Sequence, residues 1–198
     1  MGDIILSGVC KAFGGKRVLE NVTCTFAGGG VHGVMGPSGC GKTTLLHILL
    51  GLLKPGSGTV SGAGAATAVF QEDRLCERLS AGANIRLAAP WLRDKSGLRT
   101  LFDEMGLSGA EKTPVNELSG GMKRRVALLR ALAAPSELIV MDEPFTGLDG
   151  AMKEAAAICV RRRLEGRTLI VATHDENDLA LLGGSLSLKL KGGPPHAD

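Results

Sequence analysis

The stretch VHGVMGPSGCGKTT (Val31–Thr44) decides the fold of this chain. Its first five residues form a short apolar run, which predicts a buried strand. A glycine-rich loop follows, and apolar residues then recur at helical spacing, which predicts a helix that begins near Lys42. We expect this helix to end at residues 55–58, PGSG, and to carry Leu45, Leu46, Ile48, Leu49, Leu52 and Leu53.

Residues 36–43 of the loop fit the pattern G-x-x-x-x-G-K-[ST], the Walker A motif. Glycines allow successive backbone N–H groups to point at phosphate oxygens, and the helix N-terminus adds partial positive charge. Lys42 would contact the β- and γ-phosphates of a nucleotide, and the Thr43 hydroxyl would bind Mg²⁺. We interpret Cys40 as a small filler of the loop. The residues predicted to contact the nucleotide here are Gly36, Pro37, Ser38, Gly39, Cys40, Gly41, Lys42, Thr43 and Thr44.

A second apolar run, Leu138–Met141, is followed directly by two acidic residues. Such a run predicts a strand in the centre of a parallel sheet, and ligands bind at the carboxyl ends of such strands. We therefore expect Asp142 to face the Mg²⁺ shell and Glu143 to polarise the attacking water as general base. A GTPase is disfavoured because no N-K-x-D guanine motif follows.

Composition and length restrict the class of protein further. The 198 residues, 44% of them hydrophobic, suit one domain with a buried core. A net charge of +3 and 3% aromatic residues argue against nucleic acid as a partner. Five cysteines without a C-x-x-C pair indicate a reducing compartment. The apolar runs are far shorter than the roughly 20 residues of a spanning helix, so we expect any membrane contact to run through a partner.

The pentapeptide LSGGM (Leu118–Met122) resembles the LSGGQ signature of ATP-binding cassette (ABC) ATPases, and the ten residues after it resemble that family's next helix. The resemblance covers residues 3–190. It implies a P-loop NTPase fold of the α/β class, with a mostly parallel sheet flanked by helices, an antiparallel β edge region and a small helical insert. The predicted single domain, 1–198, divides into an ATPase core (1–71 and 118–190), a helical subdomain (72–117) and a flexible tail (191–198).

The signature also predicts a dimer. Ser119, which we expect to cap the next helix, and the amides of Gly120 and Gly121 form a second anion site at a helix N-terminus. In the family, this site closes on the ATP held by the other subunit, which implies a second ATPase subunit and favours a homodimer. Met122 replaces the usual Gln, but Ser119 and the amides remain, so we expect catalysis to survive.

The resemblance assigns roles to four further residues. Gln71 is similar to the Q-loop glutamine that senses the γ-phosphate and Mg²⁺, and Asp149 to the D-loop aspartate that couples the two sites. His174 is similar to the switch histidine at the γ-phosphate, and Phe13 falls where the family stacks an aromatic ring on adenine. The predicted catalytic residues are thus Lys42, Gln71, Glu143 and His174, and the predicted metal ligands are Thr43, Gln71 and Asp142.

The resemblance implies an ATPase that binds ATP and Mg²⁺ and powers transport through transmembrane permease subunits, from the cytoplasmic face of the inner membrane. Residues Val69–Leu75 are similar to the Q-loop stretch of bacterial importer ATPases for nitrate, sulfonates and taurine, which favours an importer with a periplasmic solute-binding protein. Two alternatives stay open at this point. One is a cassette ATPase for DNA repair or ribosome work, and the other is a regulatory module that only binds nucleotide.

Overall fold

The computed structural model describes residues 2–92 and 95–191. Apart from Lys191, the predicted flexible tail at 191–198 therefore lies outside the described residues. The elements along the chain are β1 (Ile4–Phe13), β2 (Lys16–Phe26), β3 (Val31–Met35), α1 (Lys42–Leu49), β4 (Ser57–Ser61), β5 (Ala66–Val69), α2 (Ala81–Ala88), α3 (Lys95–Glu104), a 3-10 turn (Val115–Glu117), α4 (Gly120–Ala133), β6 (Leu138–Asp142), α5 (Gly150–Arg163), β7 (Thr168–Ala172), α6 (Glu176–Leu181) and β8 (Ser185–Lys189).

A five-stranded parallel sheet forms the centre of the fold, in the order β5-β6-β7-β3-β8. Every residue of β6 and β7 is buried, which explains why both strands read as unbroken apolar runs. Residues 185–190 alternate between apolar and polar, which predicts an edge strand, and β8 does form one edge of the sheet. The carboxyl ends of these strands lie along one side of the sheet and carry the loops of the candidate site.

The predicted antiparallel region is a separate three-stranded sheet, in the order β2-β1-β4. The strand-like patterns at 4–9 and 18–26 predict β1 and β2, whereas the sequence does not predict β4 or the short helix α6. Strand β4 is exposed over most of its length and contains only one large apolar residue, Val60, so it lacks a hydrophobic pattern. Side chains of β1 and β2 pack with α1 and the central sheet into one core cluster, which places the glycine-rich loop between the two sheets.

Helix α1 is shorter than the sequence predicts. It ends at Leu49, where Gly51 adopts a φ of +69°. The N–H of Leu52 donates to His47 O at 2.9 Å, and the N–H of Gly51 donates to Ile48 O at 3.0 Å. These two bonds form a Schellman motif that terminates the helix. Leu52 is consequently 63% exposed, and its predicted place on the buried helix face is wrong.

The described residues between 72 and 117 contain α2, α3 and the 3-10 turn, while the division of the chain into a core and a helical subdomain stays a prediction. The segment packs on α4 through one apolar cluster. Pro90 and Gly97 both predict a helix break in this segment. The break at Pro90 is confirmed, but the predicted break at Gly97 is wrong, because Gly97 lies inside α3. A glycine costs a helix about 1 kcal/mol, and burial of Leu98, Leu101 and Phe102 at helical spacing outweighs this cost. Among the described residues, no helix combines the length and the apolar character needed to cross a bilayer.

Candidate active site

A cleft opens where the carboxyl ends of β3, β5, β6 and β7 meet. Ten sequence-predicted residues line it, namely Ser38, Gly39, Gly41, Lys42, Thr43, Thr44, Gln71, Asp142, Glu143 and His174. Val18 and Thr146 line it as well and were not predicted. Four loops that are distant in sequence thus meet at one edge of the sheet, as the order of buried strands predicts.

The glycine-rich loop has the backbone that a phosphate cradle requires. Gly39 and Gly41 adopt φ values of +76° and +99°, which side chains of L-residues disfavour. A Cβ on Gly41 would lie 2.9 Å from the carbonyl oxygen of Val18, so this position also lacks room for a side chain. The Lys42 ammonium donates to Gly36 O at 2.7 Å and to Pro37 O at 3.2 Å. These carbonyls hold the Lys42 charge across the mouth of the loop.

The side chains predicted to bind Mg²⁺ lie together. Thr43 Oγ1 donates to Asp142 Oδ2 at 2.7 Å, and Gln71 lines the same cleft from the end of β5. Hydroxyl, carboxylate and amide oxygens are the hard ligands that Mg²⁺ prefers, and Mg²⁺ usually needs only one or two protein carboxylates beside phosphate oxygens. Within residues 2–92 and 95–191, no three His, Cys, Asp or Glu side chains could hold a metal ion by themselves. The donor set therefore fits a metal that arrives with a phosphate ligand.

Glu143 and His174 form a pair above this oxygen cluster. His174 Nδ1 lies 2.8 Å from Glu143 Oε1, while Thr173 Oγ1 lies 3.4 Å from the other carboxylate oxygen, Oε2. The side chain of Glu143 is 15% exposed and that of His174 is 75% exposed. The hydrogen bond from the ring to the carboxylate, together with the negative charge of Glu143, raises the pKa of His174. An oriented carboxylate beside a phosphate cradle can polarise a water for attack.

The remaining predicted site residues lie outside the lining of this cleft. Ser119 caps α4 and accepts from Met122 N at 3.3 Å, as predicted, and Asp149 caps α5 by accepting from Met152 N at 2.9 Å. The side chain of Met122 packs against the apolar cluster that joins α4 to the helical segment. Gly120 is exposed and Gly121 is half-buried beside these caps. One chain alone does not bring the signature to its own phosphate loop, so their roles stay predictions.

Phe13 and Cys40, two other residues predicted to contact the nucleotide, also lie outside the lining of the cleft. Phe13 stands at the end of β1 and is 49% exposed, with Lys11 Nζ 5.3 Å from its ring centroid. An exposed ring is free to stack on a base, and this role stays a prediction. Cys40 is buried and would touch any Cβ placed on Gly36, which agrees with its interpretation as a filler.

Sequence reasoning missed Arg124, which is buried behind the cleft and hydrogen-bonds to the backbone on both sides of Glu143. A basic residue in the helix after the signature reads as solvated, since charged side chains are mostly exposed. The signal that could have identified it is its position in α4. It stands three and four positions before the buried residues Ala127 and Leu128, and it therefore shares their face of the helix.

Comparisons with known proteins identify the family of this chain. The family model described as "ABC transporter" matches residues 19–146. The chain is 32% identical over 211 residues to the aliphatic sulfonates import ATP-binding protein SsuB 1 of Pseudomonas aeruginosa, covering 98% of this chain and 84% of the relative. It is 34% identical to the Fe(3+) ions import ATP-binding protein FbpC 3 of Rhodococcus jostii, covering 94% of this chain and 59% of the relative.

A solved structure of an ABC transporter cassette has the same fold as this chain. The dimeric structure of MJ0796, a bacterial ABC transporter cassette, superposes with a TM-score of 0.83 at 28% identity and covers 95% of this chain and 94% of that one. The same cassette in a dimeric post-hydrolysis state, bound to ADP and Pi, superposes with a TM-score of 0.80 over 90% of both chains. The match to the family model and to these relatives shows that the chain belongs to the ABC transporter family, as one of its ATP-binding and ATP-hydrolysing cassettes.

Proposed function

We propose that this chain is the ATPase subunit of a bacterial importer and drives solute uptake through separate permease subunits. The observation that carries the proposal is the Glu143–His174 pair, 2.8 Å apart, beside the Thr43–Asp142 hydrogen bond. A candidate base and a candidate metal site therefore lie in the same cleft, which argues against a module that only binds nucleotide. The names of the relatives support import, although one names sulfonates and another Fe³⁺ ions, so they do not agree on a solute.

The proposed chemistry uses position and charge more than covalent catalysis. Backbone N–H groups of the glycine-rich loop and the Lys42 ammonium bind the β- and γ-phosphates of ATP. Mg²⁺, held by Thr43 and Asp142 with Gln71 nearby, supplies further charge neutralisation when it is bound. Glu143 accepts a hydrogen bond from the attacking water. This bond orients the water so that a lone pair of its oxygen faces the γ-phosphorus. His174 holds the Glu143 carboxylate in place through Nδ1.

The site is proposed to be completed by a second copy of this chain. Ser119 and the amides of Gly120 and Gly121 stand at the N-terminus of a 14-residue helix, where an anion is favoured. The same chain's cleft does not contain them, and the similar cassettes are dimeric. Each cleft would then receive the signature of the partner copy, with Asp149 near the contact between the two sites.

The proposed partners follow from the importer assignment. Two permease subunits would anchor the dimer on the cytoplasmic face of the membrane, and a periplasmic solute-binding protein would deliver the solute. Co-purification with a polytopic membrane protein tests this assignment. Stable association with ribosomes or DNA in place of such a protein would contradict it.

A substitution of the proposed base tests the hydrolytic mechanism. Glu143→Gln keeps the side-chain shape but removes the base, so we expect ATP turnover to fall by about 10²- to 10⁴-fold. ATP binding should persist, and a dimer should accumulate with Mg²⁺ and ATP in light scattering. Lys42→Ala should instead weaken ATP binding, because the phosphates lose their point charge.

Glu137→Gln is the matched control, because Glu137 is exposed and precedes the same strand, β6, that Glu143 follows. This variant should hydrolyse ATP at the rate of the unmodified protein. Unchanged turnover in Glu143→Gln would reject Glu143 as the base, and unaltered ATP affinity in Lys42→Ala would reject the assignment of the phosphate loop.

A further inference from the structure

Arg124 is a buried arginine, 3% exposed, in the second turn of α4. Its guanidinium lies behind the cleft, between the chain after β5 and the chain after β6. Five backbone carbonyls and one carboxylate accept its hydrogen bonds, namely Phe70 O, Gln71 O, Asp142 O, Glu143 O, Pro144 O and Asp73 Oδ1. All the donor groups of this side chain are thus directed at the two segments that carry Gln71 and Glu143.

The backbone of Glu143 is in an unfavourable conformation. Its φ is +47°, in the left-handed region that L-residues other than Asn and Asp rarely adopt. Such a conformation persists only where the surrounding structure holds it. One constraint is the N–H of Glu143, which donates to Ala172 O of β7 at 2.8 Å.

Arg124 provides the second constraint. Its Nη2 donates to Asp142 O at 2.8 Å and to Glu143 O at 2.6 Å. These two carbonyls belong to the peptide planes on either side of the Glu143 Cα atom. Rotation about φ or ψ of Glu143 turns one of these planes, so a single nitrogen bonded to both carbonyls restrains both angles. The direction of the Glu143 side chain depends on the same angles.

The other terminal nitrogen of Arg124 reaches the Gln71 segment. Nη1 donates to Phe70 O and lies 3.1 Å from Asp73 Oδ1, with a longer contact of 3.4 Å to Gln71 O. A planar guanidinium holds its donors at fixed mutual angles. The position of the Gln71 backbone is therefore tied to that of the Glu143 backbone through one rigid group.

We propose that Arg124 is a positioning residue for ATP hydrolysis, which holds the backbone of Glu143 in its left-handed conformation and in register with Gln71. Arg124 touches neither nucleotide nor water in this proposal and acts through the groups it restrains. The inference rests on the proposed role of Glu143 as the base. It assigns to the helix that follows the signature a direct mechanical link to the hydrolytic carboxylate of its own chain.

Arg124→Gln tests this proposal, because the amide side chain is shorter and its two N–H donors cannot hold both the carbonyls that flank Glu143 and the Gln71 segment. A shift of about 1 Å in a catalytic group can cost on the order of 10²-fold in rate, so we expect kcat to fall about 10- to 100-fold. The KM for ATP should change less than threefold, because the phosphate loop keeps all its contacts. Arg124→Lys, which retains the charge but not the fork of donors, should not restore kcat.

Arg167→Gln is the matched control. The Arg167 guanidinium also hydrogen-bonds to several carbonyls, among them Leu132 O and Ala134 O at the opposite end of α4, and it does not line the cleft. Its loss should lower thermal stability about as much as the loss of Arg124. At a temperature where both variants are folded by circular dichroism, kcat of Arg167→Gln should equal that of the unmodified protein.

A second readout reports the position of Glu143 directly. The pKa of His174 is raised mainly by its hydrogen bond to Glu143, with a smaller opposing effect of Lys42 and a smaller supporting effect of Asp175. If Glu143 moves away in Arg124→Gln, the pKa of His174 should fall towards its ordinary value in the nucleotide-free protein. Titration of the histidine ring signals by NMR measures it, with His174→Gln to assign the resonance.

The outcomes separate this inference from the proposed function. A lowered kcat together with a lowered His174 pKa, in Arg124→Gln and not in Arg167→Gln, supports the positioning role. Equal kcat in the two arginine variants overturns it, and so does a lowered kcat with an unchanged His174 pKa. Should Arg124→Gln not fold, the same two measurements on Arg124→Lys decide in the same way. Full turnover in Glu143→Gln would instead remove the proposed function itself.

Discussion

Replacing Lys153 by methionine should destabilise the protein, because the buried carboxylate of Asp178 loses its cation. Lys153 lies in the first turn of α5, and its Nζ contacts Asp178 Oδ1 at 2.6 Å and Asp175 Oδ2 at 3.3 Å. Asp178 is 4% exposed, and its other carboxylate oxygen lies 3.5 Å from Thr173 Oγ1. Lys153→Met keeps the apolar stem of the side chain but leaves Asp178 without its cation.

The size of the effect follows from burial. Breaking a buried ion pair costs about 3–5 kcal/mol, but the Lys153 side chain is 24% exposed, so water can partly replace it. We therefore expect the free energy of unfolding to fall by about 2–3 kcal/mol. For a chain of this length, that loss lowers the melting temperature by about 4–12 °C.

The pH dependence of this effect has a definite sign. The hydrogen bond to Asp178 is the main reason why the pKa of Lys153 lies above its ordinary value of 10.5. A raised pKa means that the folded state binds the proton more tightly than the unfolded state. The stability difference between the unmodified protein and Lys153→Met should thus be fully present below pH 10.5 and vanish as the pH rises through the folded-state pKa.

Urea denaturation at neutral pH measures the difference, and Arg99→Met serves as control. Arg99 pairs with Asp103 at 3.9 Å in full contact with solvent, with side chains 78% and 47% exposed. Its loss should cost no more than about 0.5 kcal/mol. If Lys153→Met costs as little as Arg99→Met, or if the difference persists unchanged at high pH, the reasoning from the buried carboxylate is refuted.

Three further substitutions test other parts of the structure. Gly41→Ala places a Cβ atom 2.9 Å from Val18 O, on a residue whose φ is +99°. We therefore expect ATP binding to weaken by at least about 1 kcal/mol in titration calorimetry, and an unchanged affinity would contradict the loop geometry. Phe145 is 2% exposed, and Phe145→Ala leaves a cavity where its ring packs. We expect the free energy of unfolding in urea to fall by about 3–5 kcal/mol, and a loss below about 1 kcal/mol would mean that the ring is not packed as described. Glu104→Gln removes the negative charge and one of the two acceptors of the pair with Arg163 that joins α3 to α5. We expect a loss of about 1 kcal/mol in thermal denaturation, and an unchanged melting temperature would show that the pair is not formed in solution.

The sequence predicts the elements that are fixed by local pattern. Buried strands such as Leu138–Asp142 and the cap of α4 at Ser119 appear as expected, because continuous apolar runs and capping side chains are local signals. The cleft follows as well, since strand ends in a parallel sheet converge at one edge. Where packing overrides a local signal, as at Gly97 inside α3, the prediction is wrong.

Other features depend on residues that are far apart in sequence. Strand β4 has no hydrophobic pattern and exists because Val60 and its neighbours pair with β1. The left-handed backbone of Glu143 has no local cause, since neither Gly nor Asn stands there; it is held by the carbonyl of Ala172 and by Arg124. Such restraints join segments 18 to 54 positions apart, and a single sequence does not record them.

The order of the central sheet also limits how this protein can move. Strands β5, β6, β7 and β3 are adjacent, and each leads into one loop of the cleft. Neighbouring strands are about 4.8 Å apart, so the outer two are separated by about 14 Å along a ladder of backbone hydrogen bonds. The strands cannot move apart without breaking many of these backbone hydrogen bonds at once. Any movement of the four cleft loops relative to one another must therefore arise within the loops, while the sheet stays stiff.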